Sequence, residues 1–166
     1  LITMLNKKVE KALQAQIQKE GFSSNLYLSM ASWAETKGMA GIAAWFYAQA
    51  EEENEHMLKI IRFVNERGGH AIVPAFEQPQ KEFDSVRGVF ELSLEHERKV
   101  TASINEIVGI CLEEKDYSTF NWIQWFVSEQ IEEEASVTAI IDKLNLIGDG
   151  PLYVFDNFIM SMRGGH

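Results

Sequence analysis

This chain is poor in the residues that staple, kink or interrupt a fold. It has a single cysteine, Cys111, set in an apolar stretch. No internal disulfide can form, and Cys111 reads as a small buried hydrophobe of a reducing, cytoplasmic compartment. Prolines occur only at positions 74, 79 and 151, so long stretches are free of the residue that breaks helices. Basic residues are scarce as well: 15 Lys and Arg against 25 Asp and Glu leave a net charge of −10. That balance argues against nucleic acid and anionic membranes and makes cations the natural partners. No apolar run approaches the roughly twenty residues that a membrane-spanning helix needs. Leu1 to Asn6 is too short for a signal peptide, and Met4 reads as the initiator with Leu1 to Thr3 ahead of it.

What is present is a 166-residue chain, 46% hydrophobic, suited to one domain over residues 1–166 whose core needs no staples. Helical periodicity dominates, and no strand pattern of comparable length competes with it. Four long helices are predicted at about 6–37, 42–67, 84–114 and 117–147, with a short fifth at 151–162. Asp116 to Thr119 offers a turn between the third and fourth, with a capping Ser or Thr inside it. Gly38 to Gly41 is short enough to force an antiparallel hairpin. Gly68 to Phe83, about sixteen residues, could extend over about 50 Å, whereas a 28-residue helix is about 42 Å long. It can therefore traverse the bundle, and Ile72, Val73 and Phe76 are expected to pin it to the surface. The expected architecture is all-α, two helical hairpins joined by one long crossover between helices two and three.

Apolar stripes at alternating steps of three and four can be traced along each helix. The first runs Leu13, Ile17, Glu20, Ser24, Tyr27, Ala31, Ala34, and the second Phe46, Ala50, Glu53, Met57, Ile60, Val64. The third runs Phe90, Leu94, Glu97, Thr101, Ile104, Val108, Cys111. The fourth runs Ile123, Val127, Gln130, Glu134, Val137, Ile141, Leu144, with Glu133 on its flank. Glu20, Glu53, Glu97 and Gln130 thus occupy core positions, each within about two residues of its helix midpoint. In an antiparallel bundle midpoints share one level, so the four polar breaks converge at the centre. Isolated buried carboxylates are very costly unless paired, protonated or coordinated to metal. Lys11, Lys59, Arg98 and Lys143 all lie off the stripes. Glu20, Glu53, Glu97 and Glu133 carry four negative charges when ionised, which two divalent cations would cancel.

Glu53 and His56 form an ExxH pair on one helical face. Carboxylates with one imidazole suit iron or manganese, and Zn(II) can also bind such a set. The other histidines lack this context: His70 falls in the crossover, His166 is terminal, and His96 is rotated about 100° from Glu97.

Three strings carry a resemblance: Glu20-Gly-Phe-Ser-Ser-Asn-Leu-Tyr27, Glu51-Glu-Glu-Asn-Glu-His56, and Phe120-Asn-Trp-Ile-Gln-Trp-Phe-Val-Ser-Glu-Gln130-Ile-Glu-Glu-Glu134. The chain resembles the bacterial non-haem ferritins of the ferritin superfamily over Met4 to Met162, a superfamily whose bundles also carry one long crossover. The resemblance implies a ferritin-like four-helix bundle in which Glu20, Glu53 and His56 bind a first iron. Glu53 would bridge to a second, also held by Glu97, with Gln130 close by. A third, looser iron position would fall to Glu52, Glu129, Glu132 and Glu133, with Glu133 shared with the second; the alternative there is a solvated acidic face. Tyr27 matches a tyrosine beside the centre, or else is a core aromatic with a satisfied hydroxyl, and Trp125 matches a nearby tryptophan.

The implied activity is a ferroxidase: two Fe(II) ions oxidised to Fe(III) by dioxygen or hydrogen peroxide, with ferric mineral deposited in a hollow shell of twenty-four chains. Bacterioferritins and oxygen-activating di-iron enzymes carry a second ExxH on the fourth helix, where this chain has Gln130 and Glu133. That departure favours a site through which iron passes over a fixed di-iron cofactor. Haem is not expected: a bacterioferritin would use an interfacial Met on its second helix, and although this chain has Met39 and Met57, Met57 reads as core. A non-redox metal-binding or scaffold bundle stays open as an alternative, as does a rubrerythrin-type di-iron peroxidase, although CxxC pairs are absent. The apolar tail, Leu152 to Met162 begun by Pro151 at the first helical position, either packs on its own bundle end or buries against other subunits.

Overall fold

The computed structural model describes residues 4–163; Leu1 to Thr3, read above as preceding the initiator, and His166 lie outside the described residues. The helices are α1 (Lys7–Thr36), α2 (Ala40–Glu66), α3 (Val86–Glu113), α4 (Tyr117–Ile147) and α5 (Leu152–Phe158), which tightens into a 3-10 turn at Ile159–Met162. Among the described residues no helix is long and apolar enough to cross a membrane.

Side chains that satisfy orphan backbone N–H groups fix most helix starts. Asn6 Oδ1 accepts from the N–H groups of Lys8 and Val9, and Ser85 Oγ from that of Gly88. The start of α4 differs from expectation. Its cap is Asp116, whose carboxylate accepts both the N–H and the hydroxyl of Thr119, after Lys115 turns the chain at φ 55°. Each of its two oxygens takes one of these groups.

Helices α1 and α2 form one hairpin and α3 and α4 the other. The crossover runs alongside α1 in the same direction: Ile72 lies beside Gln14, Phe76 against Gly21, Gln80 beside Ser29 and Phe83 against Trp33. Helices α2 and α3 are therefore parallel. The expected pinning by Ile72 and Val73 does not occur, since they are 51% and 66% exposed. Polar groups tie the strap instead: Gln14 accepts from the N–H of Ile72 and donates to its carbonyl, and Asn65 Oδ1 accepts from Ala71. Phe76 does pack as expected. A Cβ on Gly21 would stand 2.4 Å from its ring carbons, so the ring needs the glycine.

The buried apolar residues fall into two clusters. One holds Tyr27, Met30, Trp45, Phe46, Phe90 and Val137, the other Leu13, Ile17, Ile60, Ile104, Cys111 and Ile123. The stripe acids lie at the level between them.

The tail returns to its own bundle on one face only. Phe155 and Ile159 are fully buried, Phe155 edge-on to Phe90, while Tyr153 and Val154 are 75% and 58% exposed. Asp156 Oδ1 accepts from the Ile42 N–H at 2.8 Å, and a Cβ on Gly41 would stand 1.8 Å from the Asp156 carbonyl oxygen. Pro151 precedes the first helical residue instead of occupying it.

Candidate metal centre

Glu20, Glu53, His56, Glu97, Gln130 and Glu133 are all buried at mid-bundle. Their potential ligand atoms form overlapping groups of three, each within 4.8 Å: Glu20 with Glu53 and His56, Glu53 with Glu97 and Glu133, and His56 with Glu129 and Glu133. Glu53 belongs to the first two, as a bridging carboxylate must.

In the first group, Glu20 Oε2, Glu53 Oε2 and His56 Nδ1 are buried without a hydrogen-bond partner. The imidazole nitrogen lies 3.2 Å from Glu53 Oε2 and 3.8 Å from Glu20 Oε2. Each carboxylate's other oxygen is occupied, Glu20 Oε1 by Gln16 Nε2 at 3.1 Å and Glu53 Oε1 by Gln49 Nε2 at 3.3 Å. Two carboxylate oxygens and one imidazole nitrogen are left converging on one point, a donor set that suits a divalent iron, manganese or zinc ion.

The second group is held differently. Glu97 Oε1 accepts from the Tyr27 hydroxyl at 2.6 Å and Oε2 from Gln130 Nε2 at 3.2 Å, while Glu133 Oε2 accepts from Gln49. The Tyr27 hydroxyl also meets Ser93 Oγ, so it is both a satisfied core phenol and a neighbour of the centre.

Burial pushes the Glu53 carboxyl well above the usual range, and the charges of Glu97, Glu20 and Glu133 push the same way. Glu133 is raised well above it by burial and by Glu97 and Glu52, and Glu97 is raised by burial despite its two donors. Burial opposes ionisation of Glu20 too, but its interactions with His56, Glu53 and Gln16 together outweigh that and hold it below the usual range. His56 is raised in turn: burial disfavours its charge, and the carboxylates of Glu20, Glu133 and Glu129 together more than compensate. The cluster therefore holds protons that a cation would displace.

Residues expected at a third position are only partly gathered. Glu129 Oε1 lies 3.8 Å from His56 Nε2, whereas Glu52 is engaged by Arg163 at 2.6 Å. Glu52 and Glu132 belong to none of the groups of three found among the described residues. The Trp125 ring stands edge-on to His56, with Lys59 Nζ 3.4 Å over its centroid. His96 faces Ser23 at 2.6 Å, and His70 is exposed in the crossover. An open cleft of about 1010 Å³ reaches His56 and Glu129 from outside, with Glu51, Glu52 and Glu55 on its walls.

The stripes alone do not single out Gln16 and Gln49, which donate to the acids, or Ser93, which meets the Tyr27 hydroxyl that donates to Glu97. A signal for them does exist: each lies four residues before the acid on its own helix, Glu20, Glu53 and Glu97 respectively, and i and i+4 share a helix face.

Residues 10–147 match the family model described as a ferritin-like domain. The chain is 45% identical over 161 residues to the bacterial non-heme ferritin of Campylobacter jejuni, covering 96% of each chain. It is 45% identical over 146 residues to a probable bacterial non-heme ferritin-like protein of Haemophilus influenzae, covering 88% of each. Among solved structures, the open pore ferritin of the archaeon Archaeoglobus fulgidus superposes with a TM-score of 0.92 at 42% identity, covering 96% of this chain and 98% of that one. Fold, buried acids and these relatives agree, and the chain belongs to the ferritin family.

Proposed function

We propose that this protein stores iron and is a ferroxidase, with Fe(II) as its substrate, dioxygen or hydrogen peroxide as oxidant, and Fe(III) as the product passed to a mineral inside a hollow shell of twenty-four copies. The observation that carries the proposal is the set of three unpartnered buried atoms, Glu20 Oε2, Glu53 Oε2 and His56 Nδ1. Such atoms cost stability unless a partner arrives, and a cation is the partner their chemistry fits. Glu53 supports a paired site because it faces both this group and the Glu97–Glu133 group. Two adjacent irons can give up two electrons together, which avoids releasing a one-electron oxygen radical.

Glu20, Glu53 and His56 would hold the first Fe(II), and Glu53, Glu97 and Glu133 the second, with Gln130 steadying Glu97. Tyr27 would act by keeping Glu97 oriented. Glu129, beside His56 and on the acidic cleft, would receive or deliver metal. The exposed face of α5, with Tyr153 and Val154, would be covered by neighbouring copies in the shell. The buried thiol of Cys111, pushed up to about 11 by burial, suits a reducing cytoplasm.

The test is anaerobic Fe(II) titration followed by air. About two tightly bound ions per chain, then oxygen uptake, are expected. Binding with no oxidation by air or by added hydrogen peroxide would leave a non-redox metal buffer, and no binding would overturn the site.

A further inference from the structure

Beside the centre, the C-terminal segment brings in a cation that lies on none of the four bundle helices. Arg163 donates through one guanidinium nitrogen to Glu52 Oε1 at 2.6 Å and through another to the Trp45 carbonyl at 3.1 Å, and it lies over the Trp45 ring. The pair is largely withdrawn from water, with side-chain exposures of 16% for Arg163 and 27% for Glu52. Trp45, Gln49, Glu52, Glu133, Met162 and Arg163 line a cleft of only about 10 Å³, hardly room for one water. The tail thus closes the Glu133 side of the acidic cluster, while Glu52 and Arg163 also border the open cleft, and the closing residue is permanently charged, because a guanidinium does not lose its proton in proteins.

Placement of the guanidinium does not depend on Glu52 alone. The Trp45 carbonyl and ring fix it from α2, and α5 is anchored upstream by Asp156 on Ile42. Glu52 adjoins Glu53 in sequence, and its charge is felt at Glu133. A metal ion recruited by Glu52 would therefore sit against the centre, and it would have to displace or share a carboxylate already engaged by a fixed positive charge.

We infer that Arg163 sets the metal capacity of the acidic cluster: by occupying Glu52 it excludes a further cation from the Glu52 and Glu133 side and confines tight binding to the two central positions. This rests on the two-metal reading above. Arg163 is in these terms a positioning residue that determines stoichiometry, outside the set that binds Fe(II).

The test counts ions with a probe that cannot be oxidised. Zn(II) is titrated calorimetrically into metal-free wild type, Arg163→Ala, Arg163→Lys and the double variant Arg163→Ala, Glu52→Gln. Arg163→Ala is expected to gain a further Zn(II) per chain, or to bind the weakest ion at least about tenfold more tightly, because a restraining charge is lost. Arg163→Lys keeps the charge and should stay near wild type. The double variant should lose the gain. Equal counts and affinities in wild type and Arg163→Ala would overturn the inference, and so would a gain that survives in the double variant. The wild-type count tests the two-metal reading, and the difference between wild type and Arg163→Ala tests this one. Arg163→Gln, which keeps the contact to the Trp45 carbonyl within reach, replaces Arg163→Ala if the latter does not fold, with the same outcomes expected.

Discussion

The two metal positions proposed for the bundle are built from similar acids but left in different states. At the first, Glu20, Glu53 and His56 present three atoms that have no hydrogen-bond partner and face only one another. At the second, Glu97 and Glu133 are engaged by the neutral donors of Tyr27, Gln130 and Gln49. A cation arriving at the first position relieves unmet demands, whereas one arriving at the second competes with hydrogen bonds already made. The first should therefore fill first and hold its ion more tightly than the second.

The most severe way to break this contrast is Glu53→Ala, which removes the carboxylate common to both groups. Fast oxidation should fall by at least about a hundredfold, measured by stopped-flow absorbance; oxidation at the wild-type rate would sink the assignment. His56→Ala should weaken the first ion by about a hundredfold and slow oxidation with it. Gln130→Ala and Glu133→Ala separate the positions, since the first ion should bind within about threefold of wild type while repeated turnover slows about tenfold. Equal effects on both ions would erase the distinction.

Proton inventory sharpens the same contrast. Glu53, Glu97 and Glu133 are held above the usual carboxylate range. Their contribution to the stability of the metal-free protein is therefore fully present below the ordinary glutamate pKa and is lost as pH rises through the raised values. Glu20, held lower, acts in the opposite sense, its contribution being lost as pH falls through its depressed value. Cation binding should release protons, and the gain in melting temperature on adding Zn(II) should grow from mildly acidic to mildly alkaline pH. A gain independent of pH would contradict the protonated cluster. The smallest effect belongs to Tyr27→Phe, which deletes the hydroxyl on Glu97 and should cost about 1 kcal/mol of stability while leaving first-ion affinity unchanged. Denaturant melts and the Zn(II) titration check the two halves of that expectation.

Much of this was legible in the stripes. Apolar periodicity located the long helices to within two residues, because every bundle helix must bury one face, and an acid on such a face announces itself by being out of place. Neutral polar residues make no such announcement. Gln16 and Gln49 are as buried as the acids they hold, yet glutamine is unremarkable on a helix flank and its partner becomes visible only when the i+4 relation is inspected. The strap misled for the converse reason: Ile72 and Val73 suggested apolar pinning, but the segment is tied by Gln14 and Asn65 through backbone groups whose partners no local pattern encodes. Arg163 was invisible as a neighbour of Glu52 because the two lie far apart in sequence and meet only after the tail folds back.

The strap that makes α2 and α3 parallel has a consequence for the order in which the molecule can assemble. Glu20, Glu53 and His56 all belong to the hairpin of α1 and α2, whereas Glu97, Gln130 and Glu133 belong to that of α3 and α4. The proposed first cation position would be complete as soon as one local hairpin closes, at low cost in chain entropy. The second exists only when the hairpins dock, with Glu53 reaching across the seam. A metal ion there would join two halves of one chain, so occupancy of the second position would report on, and reinforce, the last step of folding.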